Sequence, residues 1–484
     1  MSLKKLAFLF FLLLISFGSG HLYAQMNLAF DNTIYSTDEV NNHADTTALF
    51  NLKEIIIEGN RRTKDYVILR ELAFKANEQY PLNELIDRFA RSREQLMNTT
   101  LFQSVVVSLK SIQGFDAYVS ISVKERWYIF PIPHVKVVDN NLQQWVTQQD
   151  MDMDRVIYGI KMKHSNITGR NDKLYFNITN GYTKELTLRY ADIPIDKNLH
   201  WFGSIDLSLG KNRDVSYGTF DHRRLVYKNP DRFVHSFLHG MAQVSYRPAI
   251  KTKHTFGIGY VHDQIMDTLW KINPSFSFQQ NTIKYPELFY RLQYFNVDFI
   301  PYPTKGYVAE VLFQKKGLSQ DVNLWQLTAR TSSTWPVWNK FFFNLNVTGL
   351  VKMPFRQPYN MQQFIGSSNL YLQGYEDYVI DGLAGGFTKA TFSRRLLNTA
   401  IQIPSRKFKR LNHMPLKIYG KVFGNTGYIY NEDTHYTNRL NNRLLYSGGL
   451  GLDVVLFYDL IFKFEWSWNH LGQNGIYLHD RRYL

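Results

Sequence analysis

Toward the end of the chain, Leu460, Phe462, Phe464, Trp466 and Trp468 alternate with Ile461, Lys463, Glu465 and Ser467. Successive side chains of a strand point to opposite faces, so this spacing predicts a strand lying between an apolar and a polar environment. Phe341, Phe343, Leu345 and Val347 against Asn344, Asn346 and Thr348 repeat the pattern, as do Leu174, Phe176 and Ile178 against Lys173, Asn177 and Thr179. Marking strands between turn signals from Arg155 to Leu471 gives about 16 segments of about 9 to 14 residues. Tilted strands of that length cross the hydrocarbon layer, and an even number lets hairpins close without an open edge. The expected fold is mainly β: an antiparallel transmembrane barrel over residues 155–484.

Before Arg126 the period changes. Leu52 to Glu58 is a β-branched run ending at the turn signal Gly59-Asn60, and Asp65 to Leu72 predicts a short helix. Leu82, Leu85, Ile86, Phe89 and Leu96 recur at helical spacing. Val105, Val107 and Leu109, then Val119, Ile121 and Val123, mark two alternating strands. Residues 51–126 therefore predict a compact α+β domain with helices over one side of a short sheet. Residues 25–50 are polar and aperiodic, a flexible lead-in, and residues 127–154 are expected to be a linker.

The first residues set the compartment. Lys4 and Lys5 precede an apolar run from Leu6 to Phe17, and Leu22-Tyr23-Ala24 offers a cleavage site before Gln25, so residues 1–24 predict a secretory signal peptide. The chain has no Cys, which removes disulfides and thiolate metal sites. Its net charge of +15 would suit nucleic acid in a cytoplasmic protein; on an exported chain it suits anionic headgroups or a polar lumen instead. Aromatics at 15% supply tryptophans and tyrosines near strand ends, where headgroups lie.

Residues 51–126 resemble the POTRA domains, polypeptide-transport-associated modules: Gly59-Asn60 follows the first strand, Leu101-Phe102 leads into the second and Lys124-Glu125 closes the third. In the second half, about 35 residues from Met353 to Phe387 break the hairpin rhythm, and a connection that long is usually functional. At its centre, Leu372-Gln373-Gly374-Tyr375 resembles the Val-Arg-Gly-Phe/Tyr loop tip of BamA/TamA-type assembly factors, the bacterial surface antigen superfamily. Asn166-Ile167-Thr168-Gly169, Pro303-Thr304-Lys305-Gly306 and Gly449-Leu450-Gly451-Leu452 resemble further elements of that superfamily, in its order.

The departures are informative. The resemblance implies a loop arginine paired with an aspartate on the barrel wall, but here the loop carries Gln373 and the wall reads Phe423-Gly424-Asn425-Thr426-Gly427. Losing both charges together avoids a buried unpaired ion. A neutral latch is expected, with Gln373, Gly374 and Tyr375 on the loop held by Asn425 and Gly427 on the wall, and Gln373 bonded to Asn425. The last residues, Tyr483-Leu484, lack the terminal aromatic that outer-membrane barrels tend to carry.

Enzyme signals are absent from the sequence: no His-Glu-x-x-His, nucleophile elbow or P-loop occurs. Asp150, Asp152 and Asp154 lack the glycine and closing Glu of an EF-hand and suit a solvated linker. Arg406, Lys407, Lys409, Arg410 and His413 suit a turn near headgroups. No cofactor, metal or catalytic residue is expected. The resemblance implies an outer-membrane factor that inserts or translocates other proteins. Its partners would be unfolded outer-membrane or secreted client polypeptides, outer-membrane lipid, and periplasmic chaperones or other assembly subunits, with no nucleic acid. The POTRA-like domain would capture clients, and the barrel would open between its first and last strands, expected around Val156, Tyr158 and Ile160 and around Phe462, Phe464 and Trp466. A two-partner-secretion exporter and a passive porin are the alternatives.

Overall fold

The computed structural model describes residues 48–137, 153, 156–277, 280–319, 322–366, 370–402, 413–432, 439–456 and 460–479. The signal peptide, nearly all of the lead-in, the acidic run Asp150 to Asp154 and the basic run from Arg406 to Arg410 lie outside them.

The N-terminal domain comprises β1 (Leu49–Glu58), α1 (Asp65–Arg70), β2 (Gln79–Pro81), α2 (Leu82–Asn98), β3 (Phe102–Gln113) and β4 (Asp116–Glu125). Its sheet order is β2-β1-β4-β3, with β1 parallel to β4 and the other pairs antiparallel. Leu85, Phe89 and Leu96 of α2 pack on Leu52, Val105, Val107, Val119, Ile121 and Val123, which is the predicted stripe meeting the predicted strand faces. Ile86 departs from that stripe and is exposed. Gly59, at φ +92, passes so close to β4 that an added Cβ would lie 2.0 Å from the Val123 carbonyl oxygen.

The rest of the chain is a sixteen-stranded antiparallel sheet. In chain order it runs through β5 (Ile129–Val137), β6 (Val156–Ser165), β7 (Lys173–Gly181), β8 (Thr183–Pro194) and β9 (Trp201–Asn212). A separate hairpin, β10 (Asp214–Phe220) and β11 (Arg223–Lys228), then intervenes. The sheet resumes with β12 (His235–Tyr246), β13 (Thr252–Ile265), β14 (Thr282–Val297), β15 (Gly306–Lys316), β16 (Leu324–Trp338) and β17 (Phe341–Met353). It ends with β18 (Ala384–Gln402), β19 (His413–Tyr430), β20 (Leu444–Val455), β21 (Ile461–Asn469) and β22 (Asn474–His479). One short helix, α3 (Asp267–Ile272), follows β13.

The sheet is curled. Val379 and Tyr378 are neighbours, yet Val379 N–H donates to the His222 carbonyl at the tip of the β10–β11 hairpin while Tyr378 hydroxyl donates to Gln473 in the β21–β22 turn. Laid flat, the strands flanking those two sites would be about 48 Å apart at the interstrand spacing, beyond the reach of a seven-residue strand. Curling turns one face outward and one inward, and the alternation sorts accordingly: on β21, Trp466 is 43% exposed and Glu465 is 1% exposed. An exposed apolar outer wall around a buried polar lumen is the arrangement of a transmembrane barrel.

Two sequence expectations change here. The stretch expected to be a linker contains β5, which pairs with β6 over Ile129 to Val137, so the barrel begins before Arg155. Pro131 and Pro133 hid it, because prolines within a run argue against a strand except at a sheet edge. The terminal strands of the hydrogen-bonded order are β5 and β22. The residues expected at the opening, Val156, Tyr158 and Ile160 on β6 and Phe462, Phe464 and Trp466 on β21, therefore stand one strand in from each end. Tyr158, Ile160, Phe464 and Trp466 are exposed apolar groups, Phe462 is half-buried and Val156 is buried.

Candidate functional site

The connection between β17 and β18 folds into the lumen. Phe364, Ile365, Leu370, Leu372, Tyr375 and Ile380 form a buried cluster with Leu350, Phe387, Ile429 and Leu445 of the wall. This apolar packing holds the loop and carries its tip to the wall formed by β19, β20 and β21.

At the tip, Gly374 has φ +88, and an added Cβ would lie 2.7 Å from Ser447 Cβ and 3.0 Å from the Trp468 carbonyl oxygen. Only glycine combines that conformation with that approach. Asn469 Nδ2 donates to the Gly374 carbonyl at 2.7 Å, and the Tyr375 hydroxyl donates to the Tyr446 carbonyl at 3.0 Å. Gly427 likewise leaves room beside the loop, for an added Cβ there would meet Phe387 Cβ at 2.9 Å and Leu372 Cδ2 at 3.6 Å.

The expected side-chain bond between Gln373 and Asn425 takes a different form. Asn425 Nδ2 reaches the main-chain oxygen of Gln373 at 3.4 Å and Ser447 Oγ at 3.1 Å. The Gln373 side chain turns to Glu465, with Nε2 donating to Oε1 at 2.7 Å. The latch is thus neutral on the loop and charged on the wall. Lys421 Nζ lies 2.5 Å from both Glu465 Oε1 and Asp453 Oδ1, and all three are buried. Asp453 also accepts from the Tyr302 hydroxyl at 3.0 Å, a contact from the β14–β15 turn across the lumen.

The glycines of Gly449-Leu450-Gly451-Leu452 make this cluster possible. Gly451 pairs with Lys421 on one side and Glu465 on the other. A Cβ there would lie 2.8 Å from Lys421 Cε and 3.3 Å from Glu465 Cγ, so its absence opens the path between the two charges. Gly449 makes the same room for the Phe423 ring, 2.4 Å from an added Cβ. Lys421 and Glu465 were missed in the sequence because each reads as an ordinary inward polar position of an alternating strand.

At the barrel's other end, the N-terminal domain docks on the turns. Glu71 holds Arg247 with oxygen–nitrogen distances of 2.6 and 2.9 Å. Asn98 donates to the Val297 carbonyl at 3.0 Å and accepts from Ile300 N–H at 2.9 Å. Asn166-Ile167-Thr168-Gly169 is one of these docking turns: Asn166 Nδ2 donates to Thr63 Oγ1 at 3.0 Å, Arg62 to the Ile167 carbonyl at 2.6 Å, and Lys64 N–H to the Gly169 carbonyl at 3.0 Å. Behind it, Glu125 accepts from Thr63 N–H and Oγ1, both at 2.7 Å, and from Arg62 N–H. Burial alone would raise the Glu125 pKa, but these donors outweigh it and hold the carboxyl below its ordinary value.

Comparison with known proteins agrees with this division. Residues 50–126 match the POTRA family, described as the surface antigen variable number repeat. That domain is docked on a sixteen-stranded barrel that folds a loop inward. The chain resembles BamA/TamA-type outer-membrane proteins in this arrangement. A stretch of 107 residues is 28% identical to the outer membrane protein assembly factor BamA of Neorickettsia risticii (strain Illinois), covering 22% of this chain and 14% of that one. The chain thus matches only about a seventh of the curated relative's length. The fold is similar to CdiB from Escherichia coli, with a TM-score of 0.53 at 10% identity over 90% of this chain and 74% of that one. BamA from Haemophilus ducreyi lacking POTRA domains 1-3 aligns with a TM-score of 0.47 at 15% identity, over 89% and 83% of the two chains. The POTRA domain sits at one end of the barrel, and the inward loop enters from the opposite end.

Proposed function

We propose that this barrel inserts or translocates client polypeptides at the outer membrane, capturing them on its POTRA domain and releasing them through the seam between β5 and β22. The observation that carries this reading is the coupling of two parts in one chain: a POTRA sheet whose long β3 ends its strand order, and a barrel whose hydrogen-bonded order ends at β5 and β22. An exposed strand edge adds an extended peptide through main-chain hydrogen bonds and tolerates many sequences. The partners are unfolded outer-membrane or secreted polypeptides and the surrounding lipid, with periplasmic chaperones or other assembly subunits as suppliers. No nucleotide is required, since client folding provides the driving force.

The backbone phase of β5 supports a weakly closed seam. Ser165 N–H donates to the Tyr128 carbonyl, so Tyr128 and the even-numbered residues after it turn their backbone groups to β6. Pro131 and Pro133 then face the seam, where they offer no N–H. The seam lacks two of its donors, while β22 contains no proline and keeps all of its own.

Depletion of the protein followed by quantitative outer-membrane proteomics tests the reading. Loss of many barrel proteins supports insertion, loss of one secreted protein supports a dedicated exporter, and an unchanged proteome overturns both.

A further inference from the structure

The loop and the last strand meet at a cluster around Glu465 Oε2, the carboxylate oxygen that the latch leaves unused. His479 Nε2 on β22 lies 3.2 Å from Glu465 Oε2 on β21 and 3.4 Å from Glu376 Oε1 on the loop. All three ligand-type atoms fall within 4.8 Å of one another. We propose that Glu376, Glu465 and His479 form a binding site for a divalent transition-metal cation, best suited to zinc, that fastens the inward loop to the seam strand.

Each carboxylate is anchored through one oxygen and presents the other. Glu465 Oε1 is held by Lys421 Nζ at 2.5 Å and by Gln373 Nε2 at 2.7 Å. Its Oε2 is buried without a well-aligned hydrogen bond, and the His479 ring nitrogen lies 3.2 Å from it. Glu376 Oε2 accepts from Gly374 N–H at 2.7 Å, which leaves Oε1 turned toward His479. Anchoring one atom of a ligand while the other faces the ion is what outer hydrogen bonds do in metal sites. A buried carboxylate oxygen whose one donor is poorly aligned is otherwise costly.

The spacing also fits. Zinc bonds of about 2.0–2.2 Å to nitrogen and oxygen place neighbouring ligands of a tetrahedron about 3.4 Å apart. The two measured separations, 3.2 and 3.4 Å, are already near that edge length. One imidazole with two carboxylates is a borderline donor set that suits zinc over calcium or magnesium, and a fourth position would be left to water. The ligands come from three elements, loop, β21 and β22, so occupation would restrain β22 at the seam. The inference concerns binding alone and stands whether or not the barrel inserts clients.

The test is calorimetric titration of zinc chloride into the full, tag-free chain in detergent micelles at pH 7.5, after stripping with EDTA. The chain has no Cys, so no thiolate competes. One saturable site per chain is expected, weakened at least about tenfold by His479→Gln and by Glu376→Gln. Glu376→Gln lies on the loop and serves if the strand variant fails to fold, judged by heat-modifiable gel mobility. His239→Gln serves as the control. Its ring meets Asp263 at 2.9 Å beside His235, elsewhere in the barrel, and binding should be unchanged. Absence of saturable binding overturns the site and leaves His479 as an ion-pair partner only. Binding that survives both variants also overturns it and places zinc elsewhere.

Discussion

Lys421 on β19 reaches Glu465 on β21 over Gly451 of the intervening strand, with Nζ 2.5 Å from Oε1, and Gln373 of the inward loop closes on the same carboxylate oxygen. The cation that related loops are expected to carry thus stands on the wall here, and the loop contributes an amide. A buried charge pair is held together chiefly by the penalty for leaving either ion alone.

Removing the wall cation should therefore be costly. Lys421→Met is expected to destabilise the barrel by about 3–5 kcal/mol, the usual loss when one member of a buried pair is removed. Adding Gln373→Arg should recover most of that loss by supplying a cation from the loop. Gln373→Arg alone should be harmful, since it crowds a second cation beside Lys421. Denaturant unfolding in micelles measures all three. The Gln373 side chain faces Glu465, so Lys421→Met should rescue Gln373→Arg better than Asn425→Asp does; the reverse order would refute the assignment.

Restoring the missing donors should close the seam. Pro131→Ala with Pro133→Ala returns two N–H groups to the edge of β5, each worth about 0.5–1.5 kcal/mol once paired. The double variant is expected to be more heat-stable and less active in client insertion into liposomes. Unchanged stability would show that these positions do not face a partner strand.

The POTRA dock rests on Glu71 and Arg247. Truncating one partner of such a hydrogen-bonded pair costs about 2–5 kcal/mol when the other ion is stranded, and less here because Arg70 stays 3.4 Å from Glu71. Arg247→Ala should release the domain, seen as a broadened distance distribution between spin labels on the domain and a barrel turn. An unchanged distribution would show that the Gly169 and Asn98 contacts hold the domain without the pair.

The hairpin over the lumen should loosen in acid. Leu440 N–H donates to His222 Nε2 at 2.9 Å, which requires a neutral ring. Burial, the dominant cause, lowers the His222 pKa to about 4. The opened hairpin would carry a histidine of ordinary pKa near 6.5 and bind more protons, so its closure is complete above that value. Stability is then lost as pH falls from about 6.5 toward 4. Hydrogen exchange over residues 214–228 should speed up across that window, and His222→Gln should remove the dependence.

Much of this was readable along the chain. The two-residue alternation marked β7, β17 and β21 because each inward residue meets a polar lumen and each outward one an apolar wall, a local rule that needs no knowledge of neighbours. The helical stripe of α2 and the glycine after β1 marked the POTRA domain for the same reason, and the inward loop stood out by its length and its Gln373-Gly374-Tyr375 tip. β5 escaped because its prolines imitate a linker until the edge of a sheet is there to accommodate them. The partner of Gln373 escaped as well. Gln373 is separated from Glu465 by 92 positions, and Lys421 joins them only because Gly451 has no side chain. Strand identity follows from periods of two along the sequence. Which charges share the lumen follows from how the sheet curls and registers, and that is settled by packing among residues the sequence keeps far apart.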